Sequence, residues 1–259
     1  MSLNAPDYSY LGSGEVHLKK KGAAAPFRSI GNCSAFSFSP ESNNITLSNS
    51  TTPGGGTRNN VPRVTRVQYS FSMTDFSAEN LADVLRGTVE TITAGTATGE
   101  DVVAYPGGVT PLAHIATAIT SVKSPDGTET YVAGTDYDIK SGALYVYEDG
   151  DIPAPVAGAA NLKVTYTYGA AKKLQALVNG AEEYELMFRG FNEARGGRLV
   201  VAHAFRVSGA VLAQFSMIGD AHGVGEVSGE LMVDTTRPAH DPNNPGNPYS
   251  QWFTWEQEE

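Results

Sequence analysis

The chain has 259 residues, a formal net charge of −10 and 41% hydrophobic residues, enough for one large β domain or two smaller domains with real cores. A protein that grips nucleic acid by its phosphates needs clustered Lys and Arg, so the acidic balance argues against that class, although acidity can equally serve solubility. The single cysteine, Cys33, excludes an intrachain disulfide framework. Since the first ten residues lack the basic and apolar segments of a signal peptide, and no apolar run reaches membrane-spanning length, we expect a cytoplasmic protein.

The composition favours an all-β protein. Glycine (28 residues) and proline (14 residues) are plentiful, and helical periodicity is scarce. Two strands are predicted in the first third of the chain: Glu15–Lys20, with Val16 and Leu18 directed inward, and Val64–Thr74, in which apolar and polar side chains alternate. Residues 1–14 show no periodicity and are predicted to form an N-terminal arm.

A long loop is predicted at Ser48–Pro62, between two strand-like segments. Loops of this length are uncommon inside compact domains, and they are usually functional or become ordered on binding. The triple glycine Gly54–Gly56 does not indicate a phosphate-binding loop, because no Gly-Lys-Ser/Thr motif follows and no helix begins there.

One α-helix is predicted, at Ser77–Gly87. Ser77 is a suitable N-cap, Leu81 and Val84 belong to an apolar stripe, and Gly87 is placed to end the helix. We expect this helix to cover one face or one end of the sheet.

An inserted domain is predicted at residues 97–169. Several short strand-like segments follow one another there, separated by turn signals such as Pro125-Asp126-Gly127. This spacing is typical of a small β-sandwich. The acidic turn at 148–151 lacks the pattern of a calcium loop and is interpreted as a solvated hairpin tip.

The stretch Tyr184–Val207 is predicted to be a long β-hairpin that organises the rest of the fold. Tyr184, Leu186 and Phe188 share one side of its first strand, and residues 192–197 tolerate the positive φ that a tight connection requires. The predicted organisation is an N-terminal arm (1–14), the first half of the main domain (15–96), the insert (97–169), the second half of the main domain (170–236) and a C-terminal arm (237–259).

No catalytic constellation is recognisable in the sequence. The five histidines are scattered, none forms a pair at metal-ligand spacing, and there is no Gly-x-Ser-x-Gly, Walker or zincin motif. We therefore predict that the protein is not an enzyme and that it has no catalytic residues, metal or cofactor.

The sequence resembles the major tail tube proteins of long, non-contractile-tailed (siphovirus-type) bacteriophages. The resemblance lies in the segment Tyr184–Asn192, in the helix Ser77–Gly87 and in the order of the strands between them. It covers roughly residues 10–95 and 170–237, and the insert resembles the accessory, often immunoglobulin-like, domains that such proteins carry. The insert interrupts the main domain, whereas accessory domains are more commonly added at the C-terminus.

The resemblance implies a structural virion protein. Hexameric rings would join their sheets into an inner β-barrel and stack into a tube around the tape measure protein, giving a conduit for DNA ejection. The implied partners are further copies of the chain, the tape measure protein, tail terminator or tip proteins, and genomic DNA that passes through the lumen without specific binding; no membrane is involved. The implied location is the virion tail, after assembly in the host cytoplasm.

The resemblance also assigns residues to surfaces. The inter-ring loop would use Ser50, Thr52, Pro53, Gly54, Gly55, Gly56, Arg58 and Asn60. The arm contacts between subunits would use Tyr8, Tyr10, Trp252, Phe253 and Trp255. The lumen would be lined by Glu183, Glu185, Glu226, Glu230 and Asp234, because like charge keeps DNA from adhering. The competing interpretation of these carboxylates is an ordinary solvated outer face.

Two other functions are compatible with the sequence. The insert could be a module that binds a glycan or a host-cell surface, since it is rich in tyrosine at positions 105, 131, 137, 145 and 147, although tyrosines are also routine cross-strand residues. A β-sandwich hydrolase would need two converging carboxylates, and nothing in the sequence identifies such a pair.

Overall fold

A computed structural model describes residues 7–209, 211–239, 243 and 250–259. The chain divides into two compact units, unit 1 (Met1–Val89 with Leu174–Glu259) and unit 2 (Glu90–Lys173). The elements up to the start of unit 2 are β1 (Gly12–Lys20), β2 (Arg28–Ser29), β3 (Cys33–Ser48), β4 (Thr57–Met73), α1 (Ala78–Val84) and β5 (Thr88–Ile92). Next come β6 (Gly95–Val102), β7 (Val109–Thr110), β8 (Ala116–Lys123), β9 (Thr130–Tyr131), β10 (Tyr137–Lys140), β11 (Ala143–Val146), β12 (Leu162–Tyr168) and β13 (Ala171–Gln175). The last are β14 (Glu183–Asn192), a 3-10 turn (Glu193–Arg195), β15 (Arg198–Ser208), β16 (Val211–Gln214), β17 (Gly225–Leu231), β18 (Asp234–Pro238), β19 (Ser250–Gln251) and β20 (Phe253–Gln257).

Unit 1 is built on one large antiparallel sheet. Its strands follow the order β2-β1-β14-β15-β17-β4-β3, with β16 paired to β17 and β20 paired to β15. The sheet is not closed into a barrel, because β3 and β2 lie at its two ends. The predicted all-β class with one short helix is confirmed.

The predicted central hairpin is confirmed as β14 and β15. Gly196 and Gly197 have φ of 71° and 80°, the left-handed backbone that the connection requires. Leu186, in the middle of β14, is fully buried, and Val16 and Leu18 of β1 are buried beside it, as the alternation predicted. The apolar face of this hairpin therefore forms one side of the unit 1 core.

The second strand of that hairpin follows a less regular pattern. Its core face is formed by Val200, Ala202 and Ala204, and an irregular register opposite Tyr184 and Leu186 then moves the buried position to Val207. Simple alternation through Val207 is therefore broken near the end of the strand, because a bulge shifts the side-chain period by one residue.

Helix α1 packs on the unit 1 core, as predicted, but it ends at Val84, earlier than expected. The Ser77 hydroxyl accepts the backbone N–H of Asn80 at 3.1 Å and so caps the helix. Val84 is buried, and Leu81 and Leu85 pack against the same core. No helix in the described residues has the length and apolar character needed to cross a membrane.

Unit 2 is a small two-sheet structure with its own core. One sheet has the order β6-β12-β8-β9 and the other β10-β11-β7. Leu144, Leu162, Val164 and Tyr166 are fully buried between their neighbours. This arrangement is a β-sandwich, the fold predicted for the insert, which the sequence had bounded at 97–169.

Candidate assembly surfaces

The predicted loop Ser48–Pro62 is mostly strand. β3 and β4 pair continuously from Cys33↔Met73 to Ser48↔Thr57, so only residues 49–56 form the turn. Of the proposed inter-ring residues, positions 50 and 52–56 lie in that turn, whereas Arg58 and Asn60 lie in β4. The loop prediction was wrong because Pro62, opposite Asn44, is tolerated in a two-stranded ribbon, where a missing N–H need not break a ladder.

The outer part of this hairpin has no core beneath it. Every residue from 39 to 66 is exposed except Asn49, which is half-buried. We call residues 42–64 the outer hairpin. Its exposed apolar side chains are Ile45 (51% exposed), Leu47 (57%), Val61 (47%) and Val64 (56%).

Three of these side chains form one apolar face of the outer hairpin. Ile45 lies directly opposite Val61, and Leu47 lies two residues further along the same strand, so all three share a face. Arg63, opposite Asn43, extends that face toward the base of the hairpin. The outer hairpin contains Arg58 and Arg63 and no acidic residue, whereas the whole chain has a net charge of −10.

A cavity of about 260 Å³ lies at one end of the unit 1 core. It is lined by Phe36 and Phe38 of β3 and by Phe188 of β14, among others. It also borders Gly14 and Ala202, where little or no side chain is present to fill the space. A Cβ on Gly14 would clash with the backbone of Arg189 and Gly190, so the close approach of β1 and β14 requires glycine at this position.

Two of the predicted arm residues lie at the mouth of this cavity. Tyr10 and Trp255 both line it, and their rings meet edge-on with centroids 5.3 Å apart. Each remains about half exposed, at 47% and 49% respectively. Tyr8 is more exposed, and the Arg195 guanidinium lies 5.3 Å from its ring centre.

The C-terminal segment is not a free arm over the residues described. β20 pairs with β15 from Phe253↔Ala204 to Gln257↔Val200. Phe253 stacks on Phe38 with ring centroids 4.7 Å apart, and Trp252 also packs against the unit 1 core. Trp252 and Phe253 are therefore core contacts in this chain, and of residues 237–259 positions 240–242 and 244–249 lie outside the described residues.

The five predicted lumen carboxylates fall into two groups. Glu183 accepts two hydrogen bonds from Arg206 at 2.6 and 2.8 Å, and these bonds hold the pKa of its carboxyl below the ordinary value. Glu185 is buried, with Lys19 Nζ at 3.0 Å and His203 Nε2 at 3.5 Å. Burial lowers the pKa of His203, which favours the neutral ring. Charge at these positions is thus compensated within the chain.

Glu226 and Glu230 form the other group. Both are exposed on β17, on the face opposite the buried Val227 and Leu231. Asp234 does not continue this row, because β17 ends at Leu231 and Asp234 begins β18, where it is buried. Only these two glutamates therefore have the open, polar-face position that the sequence proposed for all five.

Asp234 is the buried carboxylate with the most hydrogen bonds among the five predicted lumen residues. Its Oδ2 lies 2.8 Å from Lys21 Nζ, and its Oδ1 accepts the Thr236 hydroxyl at 2.6 Å and the Thr236 N–H at 3.0 Å. The hydrogen bond from Lys21 is the largest cause of a strongly lowered pKa for this carboxyl. A pairing that favours the charged form stabilises the fold only while Asp234 is ionised.

We expect Asp234→Asn to lower the free energy of unfolding at pH 7 by about 2–4 kcal/mol, since it leaves Lys21 without its buried counter-charge. The folded-state pKa lies below the unfolded one, so this stabilisation is complete above about pH 4 and is lost as the pH falls further. Urea unfolding at pH 7 and at pH 3 would show a smaller difference between wild type and variant at pH 3. An equal difference at the two pH values would contradict this role.

Unit 2 provides less exposed aromatic surface than the binding-module interpretation supposed. Tyr131 and Tyr137 belong to its core. Tyr145 and Tyr147 are half-buried and pack edge-on against each other, and Lys140 Nζ lies 3.2 Å from the ring centre of Tyr145. Only Tyr105 of these five is largely exposed.

No group of three or more His, Cys, Asp or Glu side chains with a metal-binding arrangement occurs among the described residues. Cys33 lies at the cavity in unit 1, where burial, with a smaller effect of Asp75, raises the pKa of its thiol to about 11. A thiol that stays protonated at neutral pH is a poor nucleophile.

Residues 9–246 match the model of a family described as "Protein of unknown function UCP028589". The match spans most of the chain, and the protein belongs to this family. A search of curated proteins gave no match.

Proposed function

We propose that this protein is a structural subunit that associates with further copies of itself into a hollow polymer of the tail tube type. The single observation that carries the proposal is the outer hairpin, residues 42–64, which extends from the sheet without a core and exposes Ile45, Leu47 and Val61 on one face. An isolated two-stranded ribbon is marginal in water, and an exposed apolar face on it favours a protein partner.

The remainder of unit 1 is compatible with a ring-forming sheet. Among the described residues, β3 is the last strand of the main sheet, so its outer edge is available for pairing with another chain. The exposed Glu226 and Glu230 give β17 an acidic face. In a tube this face would repel DNA and let it pass without adhering, which is the role that the tail tube resemblance assigns to the lumen.

The proposed assembly is the one that the resemblance implies. Hexameric rings would stack around a tape measure protein and later conduct genomic DNA, with tail terminator or tip proteins at the ends, in a virion tail assembled in the host cytoplasm. The protein would have no enzymatic activity and would need no cofactor. Unit 2 would be the accessory sandwich that the resemblance assigns to the insert.

Sedimentation velocity of the purified full-length chain over a hundredfold range of concentration tests this function. We expect the weight-average sedimentation coefficient to rise steeply with concentration. A second series at high salt should give weaker association, because charge between the arginine-bearing outer hairpin and the acidic remainder is screened. A monomer at every concentration and salt would contradict the proposal.

A further inference from the structure

We propose that the cavity at the end of the unit 1 core is the receptor for the outer hairpin of a second copy of this chain. The proposal rests on the proposed function, and it deepens that function by naming the two surfaces that meet. The apolar face formed by Ile45, Leu47 and Val61 would enter the opening framed by Tyr10 and Trp255.

The two surfaces match in chemistry. The cavity is walled by Phe36, Phe38 and Phe188, and its volume of about 260 Å³ can take branched aliphatic side chains. The outer hairpin offers side chains of that kind, about half exposed and on one face. Burying them in an apolar cavity removes their surface from water and adds van der Waals contacts with the cavity walls.

The charges around the two surfaces are also complementary. β20 carries Trp255 at the mouth and continues into the exposed residues Glu256, Glu258 and Glu259. The outer hairpin carries the exposed Arg58 and Arg63 and no acidic residue. Glu256 and Glu258 alternate with Trp255 along the chain and so lie beside the cavity and not in its lining, and the opposite net charges of the two segments favour their encounter.

The outer hairpin of a chain cannot reach and fill the cavity of the same chain. Phe38 lines the cavity, and Leu47 lies nine residues further along the same extended strand. At about 3.3 Å per residue, this places Leu47 roughly 30 Å from Phe38, and Ile45, seven residues from Phe38, roughly 23 Å away. The contact must therefore be made between copies, and it joins two different surfaces. A heterologous contact of this kind produces rings or open-ended polymers.

Two variants separate the surfaces. Ile45→Glu places a charge on the apolar face of the outer hairpin and leaves the cavity intact. Ala202→Leu fills the cavity and leaves the outer hairpin intact. We expect each variant alone to lose association by at least tenfold in apparent dissociation constant. Thr46→Glu is the matched control, because it adds the same charge to the neighbouring exposed residue on the opposite face of the ribbon, and it should associate like wild type.

Mixing the two variants tests the pairing itself. The outer hairpin of the Ala202→Leu chain can enter the cavity of the Ile45→Glu chain, whereas the reverse contact is blocked. Sedimentation of the mixture should show a one-to-one complex that neither variant forms alone. If Ala202→Leu lowers the melting temperature, the experiment uses Trp255→Glu as the cavity variant, because Trp255 lies half-exposed at the mouth of the cavity.

The outcomes separate this inference from the proposed function. If wild type associates and the cavity variants associate equally well, the receptor assignment is wrong and the polymer stands. If wild type forms only small closed oligomers and no tube, but the mixed variants form the one-to-one complex, the tube is wrong and the receptor assignment stands. If neither association occurs, both are wrong.

Discussion

Replacing residues 43–63 by a two-residue Asn-Gly turn is expected to abolish self-association and leave the rest of the protein folded. Ser42 and Val64 are direct partners across the ribbon, so a tight turn can join them without changing the register of the strands that remain. The residues removed are exposed apart from the half-buried Asn49, and their loss removes no core contact of unit 1.

The shortened chain should show at least a tenfold loss of association by light scattering, with a melting temperature within about 2 °C of wild type. Near-ultraviolet circular dichroism would confirm that the aromatic packing of the core is retained. Association equal to that of the full-length chain would show that the outer hairpin does not mediate self-association.

The second large effect is expected from Leu186→Ala. Leu186 is fully buried at the centre of β14, between β1 and β15, and its truncation leaves a cavity in the core of unit 1. We expect a loss of about 2–5 kcal/mol in the free energy of unfolding.

Leu199→Ala provides the matched control for that measurement. It is the same substitution on the paired strand β15, but Leu199 is 55% exposed, so its effect should stay within about 0.5 kcal/mol. Both tryptophans, Trp252 and Trp255, belong to unit 1, and tryptophan fluorescence in urea therefore reports the unfolding of this unit alone. Equal losses in the two variants would contradict the assigned core face.

Alternation predicted the core wherever the inward side chains are large. Val16, Leu186 and Tyr69 lie at buried positions of β1, β14 and β4, as their spacing indicated. In β15 the inward residues Ala202 and Ala204 are smaller than the exposed Leu199. A hydrophobicity pattern alone could not choose the face there, and the bulge that moves burial to Val207 depends on pairing with β14.

The outer hairpin and β20 were missed for a different reason. Three poor strand formers pair with β3 in the outer hairpin: Asn59, Asn60 and Pro62. This part of β4 pairs with β3 alone, so the missing N–H of Pro62 can face the unpaired edge without breaking a hydrogen-bond ladder. Phe253 and Trp255 had no local partner in sequence, and β20 exists because it pairs with β15 and stacks on Phe38. Both segments are strands because of the strands they pair with in the folded sheet, and local sequence does not reveal that pairing.

The carboxylates show the same limit of local reasoning. Asp234 follows an alternating strand in the sequence and was predicted to continue its polar face. Its partner Lys21 is 213 residues away in the chain, and only the folded sheet brings the two together. Glu226 and Glu230 have the predicted exposure because β17 is regular over its whole length.

The most direct test of the central claim is negative-stain electron microscopy of the concentrated, full-length protein. The account predicts stacked rings or hollow tubes for wild type, and particles no larger than single chains for the variant that lacks residues 43–63. Wild-type fields that contain only single, compact particles at concentrations far above those of the sedimentation series would contradict it.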